Sequence, residues 1–123
     1  MTGIPEGIIP IALDAMGGDH GPVVMVPAAL KAIGSGGVAV ALVGDEAALQ
    51  AELDKYDTPA KQLIQIVPSD GVVQEGESPA RAFRSKPNAS VFVSAGAVKM
   101  GKAAGFVSMG STGASIAAAT VVF

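Results

Sequence analysis

Apolar runs recur at residues 8–14, 38–43, 63–67 and 104–109, and a stretch with helical spacing separates each from the next. Short apolar runs bounded by turn residues read as buried strands. Strands that alternate with helices leave few architectures open. The helices serve as right-handed crossovers between parallel strands and cover the sheet on both sides. The expected fold is therefore α/β, layered, with a largely parallel sheet and flanking helices.

The intervening segments carry their own signals. Pro22 suits the first turn of a helix, and Val23, Val26, Leu30 and Ile33 follow at helical spacing up to Gly34. Pro27 lies inside that pattern and predicts a kink or a later start. Asp45 is placed to cap a helix through about Tyr56, with Leu49 and Leu53 one turn apart. Ser78-Pro79 opens another helix, which the Lys86-Pro87 step should end. Residues 88–102 carry two signals, a strand over Ser90–Ser94 and a helix through Val91, Ala95, Val98 and Lys102. A helix is favoured, because the strand at 104–109 needs a crossover before it. An Ala-rich helix is expected over Ala114–Phe123.

Composition narrows the class. The chain has 123 residues, enough for one domain with a modest core. Half of them are hydrophobic and 15% are charged, which is too apolar for disorder. Aromatics at 4% are few for a self-sufficient core, so part of the apolar surface is expected to meet a partner or further sequence. The ending Thr120-Val121-Val122-Phe123 has no cap or polar tail. Residues 1–123 are thus read as a single α/β domain or as the N-terminal fragment of a longer protein. A net charge of -3 without a basic run argues against nucleic acid as a partner. No cysteine is present, so disulfides and thiolate metal sites are excluded, and a reducing compartment fits. No apolar run approaches the roughly 18 residues that span a bilayer. The N-terminus lacks a basic signal-peptide region. A soluble, cytoplasmic protein is expected.

Two glycine-rich loops follow strands and so lie at the edge where open α/β sheets bind ligands. The first, Asp14-Ala15-Met16-Gly17-Gly18-Asp19-His20-Gly21-Pro22, holds two carboxylates and the chain's one histidine. Its charges oppose a phosphate. A helix N-terminus favours an anion by about 0.3–1 kcal/mol. A carboxylate ~4 Å away costs about 4 kcal/mol at an effective dielectric of 20. Asp14, Gly17, Gly18, Asp19, His20 and Gly21 therefore read as a site wall or loop brace, with His20 and Asp19 as catalytic candidates. Equally, Asp19 caps the next helix and Asp14 holds the loop closed.

The second loop, Gly110-Ser111-Thr112-Gly113, has no acidic neighbour and offers two hydroxyls and amides at a helix start. It suits phosphate or a carboxylate, or simply a capped helix. Without a P-loop lysine, a nucleoside triphosphate is not indicated. Arg81, Arg84 and Lys86 form either a solvated helix face or a basic lip that attracts an anion. No metal or cofactor is implied by any of these groups.

These motifs, in order, resemble a known family. Ile11 through Asp19, continuing to Gly21-Pro22, is similar to the N-terminal signature of the bacterial phosphate acyltransferases of phospholipid synthesis, the PlsX family. Glu77-x-Pro79-x-x-Ala82 with Arg84 and Lys86 resembles that family's charged segment. Gly101 through Ser108 with Gly110-Ser111-Thr112-Gly113-Ala114 resembles its glycine-rich loop. The likeness spans the chain but about the first third of a family member. It implies a two-domain fold like that of the isocitrate and isopropylmalate dehydrogenases, and a homodimer in the full-length form. It further implies that inorganic phosphate reacts with acyl-acyl carrier protein to give acyl phosphate and free carrier protein. Membrane contact, on this likeness, comes from sequence beyond residue 123. The family usually has asparagine where Ser111 stands and alanine where Met109 stands. A phosphotransacetylase-like enzyme acting on another small acyl group, and a non-catalytic binding fragment, are the alternatives.

Overall fold

The computed structural model describes residues 4–17, 21–74, 76–109 and 118–119. The elements, in chain order, are β1 (Ile11–Asp14), α1 (Pro22–Gly34), β2 (Val40–Gly44), α2 (Glu46–Leu53), β3 (Ile64–Pro68), α3 (Pro79–Ser85), α4 (Ser90–Lys99) and β4 (Gly105–Ser108). The strands form one parallel sheet in the order β3-β2-β1-β4. This is the expected α/β layering.

Boundaries shift for identifiable reasons. β1 begins at Ile11 rather than Ile8, since Pro10 has no N–H for the ladder and Ile11 N makes the first bond, to Ala39 O at 2.9 Å. α1 starts at Pro22 and runs through Pro27. Gly21, at φ 55, supplies the sharp entry, and its carbonyl accepts from Val24 N and Met25 N. Asp45 caps α2 by accepting from Ala48 N, but the helix ends at Leu53, and Tyr56 N closes a turn onto Leu53 O. A 3-10 turn over Pro59–Leu63, which periodicity does not foreshadow, leads into β3. Residues 88–102 resolve as the helix α4, with Ser78 capping α3 before it. Ala118 and its neighbour are helical, and the other residues of the segment 114–123, for which a helix was expected, lie outside the described residues.

Register sorts the side chains onto two faces, because partners in a parallel ladder point the same way. Leu13, Leu42, Ile66 and Val107 share one row, and Asp14, Val43, Val67 and Ser108 share a row on the other face. On the first face α1 and α2 bury Met25, Val26, Leu30, Leu42, Leu49 and Ile64 in one cluster. On the second, α4 packs Ala97 and Val98 against Ala12 and Val43. Over β4 the first face is open. Val107 and Met109 are 47% and 61% exposed, and a Cβ built on Gly105 would meet nothing within 4 Å. Together with Ile11, Leu13 and the flank of α1 they line an apolar groove of about 470 Å³.

Candidate functional site

β1 is the strand at which the connections change direction. From β1 the chain moves through α1 to β2 and then β3, whereas the crossover after β3 returns on the opposite face to place β4 on β1's other side. In open α/β sheets, ligands bind in the crevice beyond the carboxyl ends of strands at such a reversal. Here the reversal falls between Asp14, the last residue of β1, and Ser108, the last residue of β4, which are partners in the ladder.

The two side chains are joined. Ser108 Oγ donates to Asp14 Oδ2 at 2.9 Å, while Met16 N and Gly17 N each donate to Oδ1 at 3.1 Å. Asp14 is 2% exposed, so its carboxylate is a buried acceptor served by three donors. It folds the start of the opening loop back onto its own strand and ties β1 to β4. Ser108 escapes sequence reading. Its only signal is position, a lone hydroxyl ending a strand that registers against an aspartate.

The other anticipated residues fall as follows. Gly17 is buried under the Asp14 turn, and Gly21 sets the start of α1. Gly18, Asp19 and His20 lie outside the described residues, as do Gly110, Ser111, Thr112 and Gly113. Both loops nevertheless leave from neighbouring strand ends, because they follow Asp14 and Ser108, which are partners in the ladder. Arg81 and Arg84 are exposed on α3 and form no ion pair among the described residues. Lys86 is separated from them in role. Its Nζ donates to Glu77 Oε1 and to Val72 O, each at 3.1 Å.

That lysine closes a turn. Glu77 Oε1 also accepts from Gln74 N at 2.9 Å. The Gln74 amide first, and Lys86 second, hold the Glu77 carboxyl below the usual carboxylate range. A carboxyl whose folded pKa is depressed contributes stability above its unfolded pKa and loses it as pH falls through the folded one. Acidification below the ordinary glutamate range is therefore expected to release the 72–77 turn. A Glu77 side-chain NMR titration checks this, and in Lys86→Ala the midpoint moves upward. A midpoint unmoved by Lys86→Ala would assign the depression to the backbone alone.

The apolar groove lies on the face away from the Asp14 and Ser108 side chains, so the polar edge and the apolar concavity are separate features. Among the described residues no group of three or more His, Cys, Asp or Glu could hold a metal ion, and no helix is long and apolar enough to cross a membrane.

Comparison with known proteins agrees with the loop motifs. The family described as fatty acid synthesis protein matches residues 9–123. A phosphate acyltransferase of Shewanella sp. (strain ANA-3) is 42% identical over 113 residues, covering 91% of this chain and 33% of that protein. One from Picosynechococcus sp. is 43% identical over 109 residues, covering 89% of this chain and 30% of the relative. One from Deinococcus radiodurans is 45% identical over 113 residues, covering 92% and 31% respectively. The chain thus spans about a third of the length of these relatives. With the match running from the start of β1 through both glycine-rich loops, the chain belongs to the fatty acid synthesis protein family.

Proposed function

We propose that the chain is the N-terminal part of a phosphate acyltransferase, which converts acyl-acyl carrier protein and inorganic phosphate to acyl phosphate and free carrier protein in phospholipid synthesis. The observation that carries this reading is the Asp14–Ser108 link at the strand reversal, from which both family-like loops depart. The likeness to phosphate acyltransferases supplies the chemistry.

In this reading a phosphate oxygen attacks the thioester carbonyl carbon. The C–O bond forms, the C–S bond breaks, and the departing sulfur takes the proton that phosphate gives up. Nothing covalent passes through the protein, so its work is to align the two reactants and stabilise the oxyanion. The Gly110–Gly113 amides and hydroxyls hold phosphate, and the 14–21 loop forms the facing wall with Asp19 and His20 as catalytic candidates. Arg81 and Arg84 supply a basic lip. The complete protein adopts a two-domain fold like the isocitrate and isopropylmalate dehydrogenases, acts as a homodimer in the cytoplasm, and touches the membrane only through sequence beyond residue 123.

The test is formation of acyl phosphate from acyl carrier protein and phosphate by a polypeptide of the relatives' full length, with residues 1–123 alone failing. Thr112→Ala is expected to raise the phosphate concentration for half-saturation about tenfold, the worth of one hydrogen bond to a charged group. An unchanged value would remove the Gly110–Gly113 loop from the phosphate site.

A further inference from the structure

Among the described residues the sheet runs β3-β2-β1-β4, so β4 has a neighbouring strand on one side only. Ile11 N and Ala15 N donate to Ala39 O and Val43 O, which directs the odd-numbered residues of β1 to β2. Ala12 and Asp14 therefore address β4. In a parallel ladder the two bonds of a residue straddle its partner. Ala12 is the partner of Phe106, so its bonds reach Gly105 and Val107. The N–H and C=O of Phe106 are turned the other way, to the outer edge.

That edge lacks the devices that keep exposed strands from pairing. Natural edges are blunted by charged side chains or by proline. β4 reads Gly-Phe-Val-Ser and carries neither. β3, at the opposite edge, closes on Pro68. The β4 edge suits another strand.

The path of the chain gives the direction from which such a strand arrives. The step from β1 to β2 runs toward β3, with α1 on the first face. The return from β3 to β4 runs the opposite way, with α4 on the second face. The two steps share one hand, the right-handed one that parallel crossovers nearly always take. After β4 the chain is on the second face again. Ala118 is helical and fully buried in one cluster with Phe92 and Ala95 of α4, and Phe106 packs against that cluster. A right-handed connection on that face leads away from β1. It delivers the next parallel strand to the outer edge of β4.

We propose that the outer edge of β4 seats a further parallel strand from the same polypeptide, beyond residue 123. The relatives have the length to supply it, since this chain spans about a third of them. A second copy is the weaker occupant, because Ala118 already directs its own chain to that side. The inference rests on the family match and the place of Ala118, and not on the acyl-transfer chemistry. Its consequence reaches the site. Neighbouring strands lie about 5 Å apart, so the carboxyl end of the added strand emerges beside Ser108. The residues after that strand are then the first from beyond residue 123 to meet this edge.

The experiment uses a polypeptide of the relatives' full length, isotopically labelled at glycine carbonyls and phenylalanine amides. Gly105-Phe106 is the one Gly-Phe step in residues 1–123, and Phe106→Tyr identifies its NMR signal by removing it. With the strand in place, the Phe106 amide exchanges with solvent at least about 1,000-fold more slowly than an exposed amide. It also shows through-space contacts, in the parallel pattern, to a residue beyond 123. Exchange at the exposed rate overturns the proposal. So does a slow amide whose contacts stay within residues 1–123 or follow the antiparallel pattern. Contacts seen only between differently labelled molecules overturn it in favour of β4 pairing with a second copy. The measurement needs no turnover, so a polypeptide that forms no acyl phosphate defeats the acyl-transfer reading and leaves this one to the Phe106 amide.

Discussion

Replacing Asp14 by alanine is expected to lower folding stability by about 3–4 kcal/mol, a large part of what a domain of this size has. The carboxylate accepts from Met16 N, Gly17 N and Ser108 Oγ, and all three donors lose their partner at once. Asp14→Asn separates charge from geometry. Its amide oxygen still accepts from the two backbone amides, and its NH2 faces a Ser108 hydroxyl able to turn and accept. That variant should cost about 1 kcal/mol, near the net value of one hydrogen bond. Ser108→Ala, which leaves one carboxylate oxygen short of its donor, should fall between them. Urea unfolding with an unchanged slope reads all three. An Asp14→Ala protein as stable as the parent would mean that the turn and the β1–β4 tie are held by something other than this carboxylate.

The functional consequence follows from place. Asp14 and Ser108 are the roots of both glycine-rich loops, so the tie between them sets the spacing at which the loops leave the sheet. Stability and phosphate affinity should therefore decline together in Asp14→Ala. Arg81→Ala, on the exposed face of α3, should leave stability unchanged.

Much of this was legible in the residues because it depends on local rules. Strand positions follow from apolar runs, the α2 and α3 starts from Asp45 and Ser78, and the sheet's parallel sense from the crossovers. The strand order was not legible. Whether β4 adds beside β3 or returns to β1 depends on which face the 69–104 segment crosses, a long-range packing choice without a short sequence mark. Ser108 stayed hidden for the same reason. It is an ordinary residue in sequence and acquires meaning only through register. Lys86 shows the converse. Its neighbours in sequence suggest a basic surface, but Glu77 and Val72 O engage it within a turn.

Leu42→Ala is expected to cost about 3–5 kcal/mol, and Val107→Ala under about 1, although the two residues lie in the same row on the same face. Leu42 is fully buried at the centre of the sheet, among α1, α2 and β3. Shortening it leaves a cavity walled by residues that strand pairing holds in place, so the site cannot collapse to fill it. Val107 sits at the other end of the row, 47% exposed over the apolar groove, and loses little when cut back. All-parallel sheets are ordinarily covered on both faces, which makes the open face of β4 the exception in this fold. The comparison of the two variants measures it directly, by urea unfolding of each against the parent. A Val107→Ala cost close to that of Leu42→Ala would mean that the groove is filled in solution and that β4 is buried on both sides after all.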